Sequence, residues 1–465
     1  MKILFASSEI YPYAKSGGLA DVANALPQAM KSLGNDIVSV MPLYSFMPKN
    51  ELKKHEIDFS LELGGIRYDI QIYSSKNSEV EVLFIEAPLL SASASLYGND
   101  EKSCANNDLR FGIFSAALVE LASRMNIDVL HLNDWHCALS ALWAKENPKY
   151  KFKTLFSIHN LAYQGVFEAD SLLRLGIDPK YFHMDALEFY GKANFMKAGI
   201  MCCDALSTVS PRYAKEILTP EFGCGLEGFL KKHSDKLTGV LNGINTKLYD
   251  SKTDEHIVCN YDASTLGKKE ENKKSLLKEL RMKNSKWPLF AMVSRMVHQK
   301  GFDLLIEALP SILNKKLNVV LLVEGDEHYY NALSLLAKRH TNLKLRLGYD
   351  EALSRRFYAG ADFLLMPSLF EPCGLNQMIA TRYGTIPIAH RVGGLYDTVH
   401  ERGSRCAKGV VFSKPEVRVF ANAIKRALSL SLKERLEMQK FNLQCDFSFE
   451  KSAQKYLKLY KKILE

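Results

Sequence analysis

The sequence predicts an α/β protein built from two doubly wound, parallel-sheet domains, a plan in which ligand clefts form between domains. Three observations carry this expectation. Short apolar runs alternate with longer helical patterns in both halves of the chain, and the alternation starts afresh after an Asn-Gly turn at Asn242-Gly243. A length of 465 residues, at about 100 to 200 residues per domain, also allows two or more separate cores.

In the first half the apolar runs are 3–6, 37–41, 82–85, 129–132 and 155–158. They are continuously apolar, as strands covered by helices on both faces must be. Residues 18–33 and 109–124 carry apolar side chains at three- and four-residue steps and read as crossover helices. The second half repeats the scheme with strands at 289–293, 319–323, 343–345, 363–366 and 386–389. The expected domains are 1–241 and 246–445, with 446–465 a terminal helix returning to the first. The Lys-rich stretch 262–274 reads as a solvated helical face.

Sixty-one Lys and Arg against fifty-two Asp and Glu leave a formal charge of +9, too mild to call for nucleic acid. Nine scattered Cys, an odd number without a C-x-x-C pair, argue against a disulfide scaffold or zinc ribbon. The start Met1-Lys2-Ile3-Leu4-Phe5 is a first strand and not an export signal. No run reaches the ~18 apolar residues of a membrane span, so the expected location is the cytoplasm, without nucleic-acid or membrane partners.

Polar motifs follow the apolar runs. Lys15-Ser16-Gly17-Gly18-Leu19-Ala20-Asp21 opens the first helix, where paired glycines and free N–H groups suit a phosphate. Tight packing explains such a turn equally well. It matches neither G-x-G-x-x-G nor the Walker pattern, which leaves a nicotinamide-dependent oxidoreductase without support. Arg295 and Lys300 stand at the end of a second-half strand, the edge at which open α/β sheets bind ligands. Pro367-Ser368-Leu369-Phe370-Glu371-Pro372-Cys373-Gly374-Leu375 follows another strand, with Glu371 framed by prolines ahead of a helix. A carboxylate there can accept hydrogen bonds from sugar hydroxyls, and the backbone N–H groups of Gly374, Leu375 and Asn376 can meet a phosphate; a simple helix cap is the other reading. Gly393-Gly394 makes a second close-approach turn. His131-Leu132-Asn133-Asp134-Trp135-His136 and Ser157-Ile158-His159-Asn160 lie at two strand ends of the first half, without the spacing of metal ligands.

Taken in order, Lys15-Ser16-Gly17-Gly18-Leu19-Ala20-Asp21-Val22, His159-Asn160-Leu161-Ala162-Tyr163-Gln164-Gly165, Leu241-Asn242-Gly243-Ile244 and Glu371-Pro372-Cys373-Gly374-Leu375 resemble the bacterial glycogen synthases, relatives of the plant starch synthases. The resemblance spans the whole chain and implies the GT-B plan of two doubly wound Rossmann-like domains facing across a deep cleft. It implies that Lys15, Gly17, Gly18, Arg295 and Lys300 hold the diphosphate of a nucleotide sugar, with Gly374, Leu375 and Asn376 contributing, and that Tyr349 lies near adenine. Glu371 would hold the donor, and Asp21 is the acid of the Gly-Gly-Leu loop. Asp134, His159, Asn160 and Asn242 would surround the transferred glucose and the acceptor. Glu371, His159, Asp134, Lys300 and Arg295 form the implied catalytic set.

The implied activity is transfer of glucose from ADP-glucose to the nonreducing end of an α-1,4-glucan with retention, needing no metal or other cofactor. UDP-glucose as donor, or a catalytically silent glucan-binding protein, are the alternatives. A pyridoxal-dependent phosphorylase is disfavoured. Four positions depart from the family pattern: Asn133 in place of the second His of His-x-His-Asp-Trp, Glu324 in a Gly-x-Gly turn, Ile379 where many GT-B enzymes carry a second Glu, and Phe449 for a Trp.

Overall fold

A computed structural model describes residues 1–75, 78–92, 95–99, 102–103, 106–283, 286–401 and 407–465. The chain divides into two compact units, Met1–Gly243 with Phe449–Glu465, and Ile244–Ser448.

The main sheet of the first unit has nine strands, in the spatial order Leu237–Gly239, Ala205–Thr208, Lys153–Ile158, Val129–Asn133, Lys2–Ala6, Asp36–Pro42, Val82–Glu86, Ile66–Ser74 and Lys53–Leu63. The first seven are parallel. Ile3, Leu4, Phe5 and Ala6 are all fully buried, which is why this central strand reads as an unbroken apolar run. The chain winds outward from Lys2–Ala6 through Asp36–Pro42 to Val82–Glu86, then returns to the other flank of the first strand with Val129–Asn133. Lys2–Ala6 and Val129–Asn133 therefore frame the point where the winding reverses.

Four strands of this sheet escape the sequence pattern. Lys53–Leu63 and Ile66–Ser74 form an antiparallel edge hairpin, and the outer strand is exposed at most alternate positions, so no apolar run marks it. Ala205–Thr208 and Leu237–Gly239 are too short to show a period.

The terminal helix Phe449–Leu464 packs Phe449, Ala453, Tyr456 and Tyr460 into the core of this unit. Phe449, the aromatic exchange noted in the sequence, is a core residue. Ser452 Oγ donates to the Leu241 carbonyl at 2.6 Å, and the Tyr460 hydroxyl meets His131 Nδ1 at 2.5 Å. His131 Nε2 is bonded to Ser157 Oγ at 2.7 Å. With its ring fully buried, His131 is part of the core, and burial holds its pKa well below the ordinary range.

The second unit carries a six-stranded, all-parallel sheet in the order Leu343–Leu347, Asn318–Gly325, Leu289–Met296, Phe363–Met366, Ile386–His390 and Val410–Phe412. It is wound in the same way, with its reversal between Leu289–Met296 and Phe363–Met366. The turn after Asn318–Gly325 is made with one glycine, Gly325 at φ +127°, and Asp326 caps the following helix by accepting from the His328 amide at 2.7 Å. Glu324 stands exposed in register with Arg295. Ile379 is buried in the helix Asn376–Arg382.

The Lys-rich stretch corrects the sequence reading. Lys269 and Lys273, on the helix Lys269–Glu279, are both buried. Lys269 Nζ donates to the carbonyls of Ala359, Tyr383 and Tyr358 at 2.7, 2.9 and 3.1 Å and to Thr385 Oγ at 2.9 Å. These carbonyls end the helix Glu351–Gly360 and follow Asn376–Arg382, so the ammonium neutralises two helix C-termini. Lys273 pairs with Asp362 at 2.8 Å. Cys137, Cys202, Cys203, Cys224, Cys259, Cys373 and Cys445 are free thiols; Cys104 and Cys406 lie outside the described residues. Among the described residues no helix is long and apolar enough to cross a membrane.

Candidate active site

Each unit places predicted residues at or after the C-terminal ends of its parallel strands, the edge where open α/β sheets receive ligands. Lys15, Asp134 and Glu371 follow, and Arg295 lies at the end of, strands that flank the winding reversals, while His159, Asn242 and Tyr349 follow strands further out.

In the second unit, Leu289–Met296 and Phe363–Met366 pair only through Phe290–Phe363 and Ala291–Leu364 and then part. The Asn376 side chain crosses the gap and donates to the Val293 carbonyl at 2.6 Å, satisfying a strand group that would otherwise lack a partner. Beyond the gap, Glu371 is buried, pairs with Lys300 Nζ at 2.6 Å and accepts from Ser368 Oγ at 2.9 Å. Ser368 is held in turn by its carbonyl, 2.7 Å from His390 Nδ1.

Glycine makes this pairing possible at two places. Gly301, at φ +72°, lies so close to Pro367 that a Cβ would sit 2.0 Å from its carbonyl oxygen, which is what presses the Lys300 loop against the Glu371 segment. A Cβ on Gly394 would sit 2.0 Å from the Cys373 carbonyl oxygen, and the Gly394 amide donates to the Glu371 carbonyl at 3.0 Å. Cys373 is a buried free thiol at this point. Arg295 is exposed, and among the described residues no carboxylate pairs with it. Gly374, Leu375 and Asn376 are partly exposed at the start of their helix. Tyr349 stands 58% exposed after the strand Leu343–Leu347, with its hydroxyl on the Glu351 carboxylate.

In the first unit, the helix Gly18–Ser32 starts without a side-chain cap, and Gly17 has nothing within 4 Å of where a Cβ would stand. Lys15 Nζ pairs with Asp21 at 2.9 Å. On the neighbouring strand, Asp134 sits at φ +56° and its carboxylate accepts from the His159 amide at 2.8 Å. Burial pushes the Asp134 carboxyl up to about 7, against the pull of the His159 and Asn160 amides and with a push from Glu9. Burial also lowers the His159 ring to about 4, which makes it neutral and a weak base. Asn160 Oδ1 accepts from the Ala162 amide at 3.1 Å. Asn242 is buried, and its Oδ1 has no partner among the described residues. An orphaned buried amide oxygen at a strand end suits a ligand hydroxyl.

Three residues of these clusters carry more than the sequence assigned to them. Glu9 is buried directly after the first strand and accepts from the Ser16 amide, shaping the Lys15–Gly18 turn. A charged residue immediately after a central strand was the available signal. Ser368 orients Glu371. Asn133, read only as a departure from a pattern, contacts the His159 ring. Among the described residues no group of three or more His, Cys, Asp or Glu is placed to hold a metal ion.

Comparison with known proteins bears on the same residues. Residues 2–232 match the family model of the starch synthase catalytic domain, and residues 273–443 that of glycosyl transferases group 1. The glycogen synthase of Aquifex aeolicus is 41% identical over 467 residues, covering 100% of this chain and 99% of its own. That of Bacillus cereus is 38% identical with both chains covered completely. The chain belongs to the glycogen synthase family. The catalytic domain of starch synthase IV from Arabidopsis thaliana, solved with ADP and acarbose, superposes with a TM-score of 0.91 at 31% identity, covering 100% of this chain and 99% of that one. Sucrose-phosphate synthase of Thermosynechococcus elongatus, at 17% identity and a TM-score of 0.65, shares the fold. As a glycogen synthase family member the protein is a glycosyltransferase with GT-B type domains, as its sequence leads one to expect.

Proposed function

We propose that this protein transfers glucose from ADP-glucose to the nonreducing end of an α-1,4-glucan with retention of configuration. The observation that carries the reading is the pair of partly buried Lys300 with buried Glu371 at the winding reversal of the second unit, with Arg295, which no carboxylate among the described residues pairs, at the end of the adjacent strand. The ADP held by the starch synthase IV structure supports an adenine nucleotide as the donor.

Cleavage of the glucose C1–O bond leaves the electron pair on the departing diphosphate and positive charge on the sugar ring. Arg295 and Lys300 would stabilise the leaving group, a role the family resemblance extends to Lys15. Glu371, fixed by Lys300 and Ser368, would accept hydrogen bonds from donor sugar hydroxyls. His159 is neutral near pH 7 and a poor general base, which supports a sugar-holding role. No carboxylate is assigned as nucleophile. The acceptor O4 then attacks C1 from the face that ADP leaves, and its proton passes to the departing phosphate oxygen. Asp134 and Asn242 would orient the incoming glucan hydroxyls. The cations at the diphosphate meet the charge without a metal ion.

The test is ADP release from ADP-glucose by purified protein, with and without glycogen, beside UDP-glucose. Glycogen-dependent ADP release supports the proposal. Faster turnover of UDP-glucose would overturn the donor assignment, and no turnover of either would overturn the transferase reading. Glu371→Ala and Lys300→Ala should lose at least about 100-fold in rate; full activity in either folded variant would overturn its role.

A further inference from the structure

Asn133 ends the strand Val129–Asn133 and is 1% exposed, yet both ends of its amide are in use. Nδ2 donates to the Ala6 carbonyl at 2.8 Å, across the winding reversal of the first unit. Oδ1 lies 2.8 Å from His159 Nε2. The Ala6 carbonyl can only accept, so the amide nitrogen must face it and the amide oxygen must face the imidazole. An amide oxygen can only accept as well, so the proton of the neutral ring must sit on Nε2. Nδ1 keeps its lone pair, and no described residue bonds to it.

We propose that Asn133 is a positioning residue that locks His159 in the Nε2–H tautomer and so fixes Nδ1 as a hydrogen-bond acceptor for a substrate sugar hydroxyl. The backbone adds a second hold. Asp134 follows at φ +56°, and its carboxylate takes the His159 amide at 2.8 Å, so consecutive residues clamp the ring and the main chain of the same histidine. A histidine at position 133 could make both contacts, one nitrogen donating to Ala6 and the other accepting from His159. It would also titrate, whereas the amide of Asn133 does not. The lock in this chain therefore depends on no proton at position 133.

The sugar contact rests on the glucosyl-transfer reading; the tautomer does not. The experiment is a long-range ¹H–¹⁵N correlation spectrum of the full chain labelled at histidine, with the His159 signals identified by their loss in His159→Gln. The expected spectrum has a protonated Nε2 and an unprotonated Nδ1 for His159. Asn133→Leu, which keeps size and removes donor and acceptor, should give mixed tautomers and a kcat at least tenfold lower, with KM for ADP-glucose changed less than threefold. Asn133→His should restore kcat to within about threefold of the parent protein. A wild-type spectrum with Nδ1 protonated overturns the proposal, as does an Asn133→Leu protein that keeps one tautomer and full kcat. If Asn133→Leu does not fold, the wild-type spectrum and Asn133→His decide. A single Nε2–H tautomer in a protein that turns over no sugar nucleotide would sustain the lock and overturn the transfer reading instead.

Discussion

Lys300→Met tests the pair on which the functional reading rests. The substitution keeps an unbranched side chain one atom shorter and removes its charge, leaving the Glu371 carboxylate, 5% exposed, with Ser368 Oγ as a remaining donor. Removing one partner of a buried pair costs about 3–5 kcal/mol. Because the Lys300 side chain is 21% exposed, water reaches the site and the expected loss is about 2–4 kcal/mol. The unit spans Ile244–Ser448, a size at which each kcal/mol moves Tm by about 2–4 °C, so its transition should fall by about 5–15 °C. Glu371→Gln added to Lys300→Met removes the stranded charge, and the double variant should regain about 1–3 kcal/mol. Scanning calorimetry on the three variants measures the stability effect, and ADP release measures the rate. An unchanged transition in Lys300→Met, or a double variant that loses the sum of both single effects, would refute the argument that Lys300 compensates the buried Glu371 charge.

The remaining predictions concern a titration, a core contact and a cofactor. Asp134 titrates near 7 in the folded chain against about 4 unfolded, so kcat/KM should rise between about pH 6 and 8 as the carboxylate forms, and Asp134→Asn should flatten that limb. The same shift makes the stability contributed by Asp134 complete below about pH 4 and lost as pH climbs through 7, which urea unfolding at several pH values measures. Tyr460→Phe strips the fully buried His131 Nδ1 of its bonded partner and should cost about 1–2 kcal/mol with little change in kcat, read from denaturant unfolding beside the rate assay. Transfer should persist in excess EDTA, because Lys15, Arg295 and Lys300 are assigned the leaving-group charge; a loss restored by added Mg²⁺ would overturn that assignment.

How much of this could be read from the sequence followed from where each residue finds its partners. Strands such as Lys2–Ala6 are covered on both faces, so burial alone writes them as apolar runs. Glu371, framed by Pro367 and Pro372 and read at a strand end, also declared itself locally. Lys269 and Lys273 did not. Four-residue spacing of lysines is the ordinary mark of a solvated helix, and the carbonyls that bury Lys269 lie 89 to 114 positions away in sequence. Nothing near residue 269 distinguishes the two cases. Asn133 was hidden for the same reason, since its partners are 127 and 26 residues distant. The edge hairpin Lys53–Ser74 was hidden by its solvated outer strand.

The two winding reversals share a device that explains why an asparagine can replace a histidine at position 133. In the second unit the strands part after Ala291–Leu364, and the Asn376 amide donates at 2.6 Å to the Val293 carbonyl beyond that point. In the first unit the ladder still pairs Ala6 with Leu132, and the Asn133 amide at 2.8 Å is a further donor to the Ala6 carbonyl, which has two lone pairs. An amide that makes this contact carries its own acceptor along. In the first unit that acceptor meets the His159 ring, so a contact across the sheet fixes the protonation of a residue assigned to the sugar. Position 133 must offer one donor and one acceptor at fixed places, and asparagine meets that requirement as well as a neutral imidazole does. A leucine there breaks both contacts at once, which is why its effect on tautomer and rate separates this account from one in which Asn133 only fills space.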